Sequence, residues 1–128
     1  MFKVQTYPVG YPIGYGGTYK TREGSRIALL PVGYSDGLPR SYMGKGEVLI
    51  GGKRAPFVGL SSMDWTTVEV GSIPEVRSGD EVILLGEQGK DCITGEEMAD
   101  RAGKNIDEVF VLIGKRMRRT YSHREINP

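Results

Sequence analysis

Nineteen glycines and seven prolines, scattered through 128 residues, set the first constraint on this chain. Glycine accepts backbone angles that other residues avoid, and proline removes a donor from helices and ladders. Such dense punctuation favours many turns and short elements over long helices. The length fits one domain rather than a two-domain catalytic scaffold. A mainly β fold is the expectation, and a charged fraction of 26% beside a hydrophobic fraction of 38% suits a soluble globular domain.

The local patterns agree. Phe2, Val4 and Thr6 open an alternating strand that breaks up into a loop at Pro8, Gly10, Pro12, Gly14, Gly16 and Gly17. RIALLPVG, at 26–33, reads as a short strand that should bulge or lie at an edge at its proline, and it stops at Tyr34-Ser35-Asp36-Gly37. GEVLI (46–50) and RAPFVGL (54–60), parted by Gly51-Gly52-Lys53, predict a hairpin. WTTVEV (65–70) and DEVILL (80–85) read as two more strands. Thr94 with Glu97 fits a capping box that starts a helix over 95–102, ended by Gly103. Asn105 with Glu108 repeats the signal for a helix over 106–113, with Gly114 as its stop. KRMRRTYSHREINP then carries a basic cluster, one more strand and a frayed tail.

Several function classes drop out. The formal net charge of +1 gives no global drive toward nucleic acid or anionic lipid. One cysteine, Cys92, and one histidine, His123, allow neither an intrachain disulfide nor a Cys/His zinc cage, so no metal site is expected. No apolar stretch reaches the roughly 20 residues of a membrane span, and the Gly/Pro/Tyr-rich start lacks the apolar core of a signal peptide, so the chain reads as non-exported and cytoplasmic. GYGGTY (14–19) begins as G-x-G but lacks the later glycine, and Gly44-Lys45 has no Walker spacing. His123 reads as an exposed tail residue rather than a general base. What remains is a set of aromatic and polar residues in turns: Tyr15, Tyr19, Tyr34, Asp36, Met63 and Asp64. Taken alone they also fit plain packing tyrosines and turn-capping aspartates.

Their order and spacing, however, resemble the C-terminal domain of alanine racemases, the pyridoxal-phosphate enzymes that make D-alanine for peptidoglycan. The segments that carry the resemblance are GYGGTY (14–19), RIALLPVGYSDGLPR (26–40), GEVLIGGKRAPFVG (46–59), SMDW (62–65), IPEVRSGDEVILLG (73–86), ITGEEMADRAG and KRMRR. The resemblance implies a compact, mainly β, barrel-like domain with two short helices over residues 1–121, followed by a tail at 122–128. It also implies partners: an N-terminal barrel domain whose lysine holds pyridoxal phosphate as a Schiff base, a homodimer, and a small amino-acid substrate, with no nucleic acid and no membrane. No lysine of this chain is assigned that role, so the domain alone is expected to be inactive.

By the same resemblance Tyr15 corresponds to the catalytic tyrosine that reaches into the partner subunit's site. Tyr34 corresponds to a tyrosine lining the substrate entrance, and Met63 to a residue whose backbone amide faces the substrate carboxylate. Asp64 and Asp36 are expected to support the loops. Inverting a Cα centre needs one acid/base group on each face, and a free tyrosine, with a pKa near 10, needs a nearby positive charge to act as a base at neutral pH.

Two positions depart from the family pattern. Leu60 stands where many members have arginine, and Asp107 stands where many have a phosphate-contacting tyrosine. A carboxylate cannot donate to phosphate and would be repelled by it. These departures leave room for a broad-specificity, serine or lysine racemase. A rival of another class is a β-barrel that holds RNA through Lys115, Arg116, Arg118, Arg119 and Tyr121.

Overall fold

The apolar run at 26–30 becomes the strand that organises the molecule, because it is covered on both faces. The structure is a computed structural model that describes residues 3–122. Strand β4 (Arg26–Leu30) lies between β1 (Lys3–Thr6) and β7 (Thr66–Glu69), antiparallel to both, with Ala28 opposite Val4 on one side and Val68 on the other. Successive side chains of a strand point to opposite faces. Ala28 and Leu30 therefore enter the main core, while Ile27 packs with Ile13 and Val58 in a second, smaller cluster.

A second sheet places β5 (Glu47–Ile50) between β6 (Lys53–Pro56) and β8 (Val82–Ile83). The β5–β6 turn uses Gly51 and Gly52 at φ +59 and +76, angles that favour glycine. The chain leaving β6 sews the sheets together through a bridge of Phe57 with Val68 and a bond from the Val58 amide to the Thr67 carbonyl at 3.0 Å. At the far end the Val4 amide donates to Ser78 Oγ at 3.3 Å, so the turn before β8 comes back to β1. The two sheets thus curve round one core, which holds Val48, Ile50, Ala55, Phe57 and Val68 with Tyr42 edge-on to Phe57. Two further hairpins lie outside them: β2 (Pro12–Ile13) with β3 (Tyr19–Lys20), and β9 (Gly86–Gln88) with β10 (Asp91–Ile93).

Two helices close the core. In α1 (Gly95–Ala102) Thr94 Oγ1 accepts the Glu97 amide at 3.0 Å, and Gly103 ends the helix at φ +66. Met98, Ala99 and Ala102 face inward. The Glu97 carboxylate turns to Arg54 Nη1 at 2.9 Å. Arg54 also grips Asp91 through Nε (2.8 Å) and Nη2 (3.2 Å), and Nη2 donates to the Cys92 carbonyl at 2.9 Å, so one guanidinium fastens β6, β10 and α1 together. In α2 (Ile106–Leu112) Asn105 caps the Asp107 amide at 2.9 Å. Among the described residues no helix is long and apolar enough to cross a membrane.

The mainly β architecture with two short helices is the one expected, and several details differ. Pro31 causes neither a bulge nor an edge: β4 is central and ends at Leu30, one residue before it. The strand expected over 80–85 shrinks to Val82–Ile83, and the β9–β10 hairpin carries no alternation that announced it. No strand forms over 114–122, because Gly114 turns the chain at φ +82 and donates its amide to the Asp36 carbonyl at 3.2 Å. His123 and most of the 122–128 tail lie outside the described residues.

Candidate functional site

Three turns meet at one end of the sheets: 14–17, 33–37 and 60–65. Their backbones approach so closely that glycine is required. A Cβ on Gly14 would stand 2.9 Å from Gly59 Cα, and one on Gly33 would stand 2.3 Å from the Ser62 carbonyl oxygen. Main-chain bonds then fix the frame. The Tyr15 amide donates to Leu60 O (3.1 Å), the Tyr34 amide to Ser62 O (3.2 Å) and the Ser35 amide to Met63 O (3.0 Å). Within the third turn Ser62 Oγ accepts the Trp65 amide at 3.1 Å.

The result is a cavity of about 470 Å³ lined by Tyr15, Tyr34, Arg40, Ser61, Ser62, Met63 and Asp64. Tyr15 is 68% exposed and Met63 55% exposed, so this concavity is open. The Arg40 guanidinium lies 5.5 Å from the centre of the Tyr34 ring, a cation–π distance that holds the ring's face. A larger hollow of about 710 Å³, near Tyr19, Arg22 and Glu69, contains none of these residues and brings no comparable group of turns together.

Behind the cavity sits a charged clamp. Asp36 is buried, and its Oδ2 accepts the Gly33 amide at 3.0 Å. Its Oδ1 accepts from Arg116 Nε at 2.9 Å, and Arg116 Nη2 reaches Asp64 Oδ1 at 2.6 Å. The Arg116 hydrogen bond holds the Asp36 carboxyl below its ordinary 3.8, against burial, which pushes it up, and with help from the Gly33 amide. The two carboxylates in turn push Arg116 still further up.

The structure therefore brings Tyr15, Tyr34 and Met63 to one cavity, with Asp64 on its rim and Asp36 behind it. Tyr19 lies in the other hollow, and Asp107 is exposed on the first turn of α2 and does not line the cavity. Sequence reasoning missed the parts played by Arg40, Ser61, Ser62 and Arg116. Arg40 ends the RIALLPVGYSDGLPR run, and that position was its one signal. In the sequence Arg116 is one member of the basic cluster at 115–119. It is turned onto two carboxylates, which breaks the cluster between exposed Lys115 and Arg118.

Comparison with known proteins points to one family. The family described as "Alanine racemase, C-terminal domain" matches residues 1–121. The alanine racemase of Thermodesulfovibrio yellowstonii is 45% identical over 121 residues, 94% of this chain and 33% of that protein. The broad specificity amino-acid racemase of Pseudomonas taetrolens is 46% identical over 111 residues, 87% of this chain and 27% of that protein. In the crystal structure of the Bartonella henselae alanine racemase, which carries covalently bound pyridoxal phosphate, 33% of the chain superposes on 94% of this one, with TM-score 0.86 and 30% identity. This chain spans about a third of the length of the relatives it matches. With the family pattern matched from residue 1 to residue 121 and the fold shared, the chain belongs to the alanine racemase C-terminal domain family.

Proposed function

We propose that this chain is the C-terminal domain of a cytoplasmic, pyridoxal-phosphate-dependent alanine racemase, and that it supplies Tyr15 as one of two acid/base groups to a site completed by a partner subunit. The observation that carries the reading is that Tyr15, Tyr34 and Met63, assigned separately by resemblance, line one cavity. Its openness fits a half-site that a second surface covers.

The residues present fit the substrate side of such a cofactor and not its anchor. Among the described residues no lysine lines the cavity, and the family resemblance assigns the holding lysine to a barrel domain. When bound, pyridoxal phosphate withdraws electrons from the amino acid and makes its Cα proton removable. The Tyr15 oxygen gives and takes that proton on one face. The Met63 amide donates to no acceptor among the described residues, which leaves it available to the substrate carboxylate. Tyr34, its face held by Arg40, walls the approach. Without the barrel the domain holds one of the two acid/base groups and turns nothing over.

Pairing this chain with an alanine racemase barrel domain in one polypeptide tests the reading. Interconversion of L- and D-alanine, lost on Tyr15→Phe with cofactor still bound, supports it. A folded, cofactor-loaded dimer with no racemisation overturns it. Leu60, which stands where the family resemblance places an arginine and lines a smaller hollow next to Tyr15, favours a second reading in which larger or more varied side chains are admitted. Faster turnover of serine or lysine than of alanine would select it.

A further inference from the structure

Arg116 lies 80 residues from Asp36 and 52 from Asp64, yet it binds both. Its side chain is half exposed, so packing does not explain its placement. What it touches does. Asp36 caps the amide of Gly33, the residue before Tyr34, and Asp64 directly follows Met63. We propose that Arg116 is the positioning residue of the substrate-facing cavity, a single guanidinium that clamps the 33–37 turn to the 60–65 turn and thereby sets Tyr34 against Met63.

Two properties of the arrangement require an arginine. A guanidinium offers separate donors in a rigid fork, so Nε can serve one carboxylate while Nη2 serves the other, which a single ammonium cannot do in the same geometry. Its charge also offsets two carboxylates, one of them on the residue that follows Met63. If the guanidinium is removed, two uncompensated negative charges are left in the turns that carry Tyr34 and Met63, where they disfavour a substrate carboxylate. The clamp adds to the main-chain bonds from Tyr34 and Ser35 to Ser62 and Met63, which join the same two turns. Gly114, two residues before Arg116, ties the segment to the Asp36 carbonyl, so the guanidinium is delivered from a fixed point.

The kinetic part of this inference rests on the racemase reading; the clamp itself does not. The test is hydrogen–deuterium exchange on the intact protein that carries this chain, without substrate, together with steady-state kinetics on L-alanine. Arg116→Gln is expected to speed exchange in segments 33–37 and 60–66 by roughly fivefold, the scale of one exposed charge-assisted contact, and to leave the β5–β6 hairpin unchanged. KM should rise severalfold with kcat nearly unchanged, since ground-state and transition-state binding of the carboxylate weaken together. Arg116→Lys should restore most of KM through its charge but leave one of the two turns fast. Asp64→Asn, which cuts one arm, should loosen 60–66 alone and serves if Arg116→Gln unfolds. Unchanged exchange in both segments overturns the clamp, whether or not the protein racemises. A wild-type protein that never racemises, but whose two turns loosen in Arg116→Gln, overturns the functional reading and keeps the clamp.

Discussion

Gly37 lies so close under Leu112 that a β-carbon on it would stand 1.9 Å from the Leu112 carbonyl oxygen. The last turn of α2 therefore rests on the turn that carries Tyr34 and Asp36, with no room between them. Gly37 also sits at φ +90, where an L side chain is strained.

Gly37→Ala should accordingly combine backbone strain with a clash against main chain that cannot rotate away. A loss of roughly 3 kcal/mol is expected. Urea unfolding checks it: a lower midpoint with an unchanged m-value is the expected result, and an unchanged midpoint would show that the contact relaxes at no cost.

Arg54→Met removes the guanidinium shared by Asp91, Glu97 and the Cys92 carbonyl while keeping most of the aliphatic stem. The Arg54 side chain is 24% exposed, so solvent screens part of the interaction. A destabilisation of about 2 kcal/mol is expected, and it should narrow in 1 M salt. Thermal melts of both proteins at low and high salt check this; a salt-independent difference would point to packing instead.

Acid should release the Asp36 contact in a definite direction. The folded carboxyl is held below its ordinary 3.8, so as pH falls the unfolded chain takes up the proton first. The stabilisation from Asp36 is complete above that value and is lost as pH falls through the lower, folded one. The difference in urea midpoint between wild type and Asp36→Asn should therefore be constant at pH 5–7 and shrink below pH 4. A difference that grows on acidification would contradict the assignment.

Tyr15→Phe in the complete enzyme keeps the ring and removes the ionisable oxygen. Fold and cofactor binding should survive. Exchange of the α-hydrogen with D₂O should fall by about 10²–10⁴ for the enantiomer that faces the phenol and far less for the other. Equal loss for both enantiomers, followed by NMR, would remove Tyr15 from a one-face role. Mixed dimers of Tyr15→Phe subunits with subunits lacking the barrel lysine should regain one working site.

The sequence was legible where the determinants are local. Gly51-Gly52 and Thr94 act within three residues of themselves, and the hairpin and first helix stand where those residues put them. The glycines of the site turns were visible as turn formers, but not the reason for two of them: Gly14 meets Gly59 across 45 positions, a contact that no local pattern encodes. Long-range charge pairs were equally hidden. Arg54 finds Asp91 at a separation of 37, and Arg116 could not be told from Arg118 or Arg119 until the chain had turned at Gly114. Strands of two or three residues, such as β8 to β10, are too short to display a period.

The three site turns are joined chiefly by amide and carbonyl groups of the main chain. Apart from its glycines and the contacts of Arg116 with Asp36 and Asp64, such a frame is indifferent to the identity of the side chains it carries. Residues 35, 60 and 62 each lend a backbone atom to the frame, yet the side chains of 35 and 60 take no part in it. Substitution can therefore wander through those two positions while Tyr15 stays in register. Position 60, whose leucine is 36% exposed and lines a hollow beside Tyr15, is one place where the surface can change without rebuilding the frame.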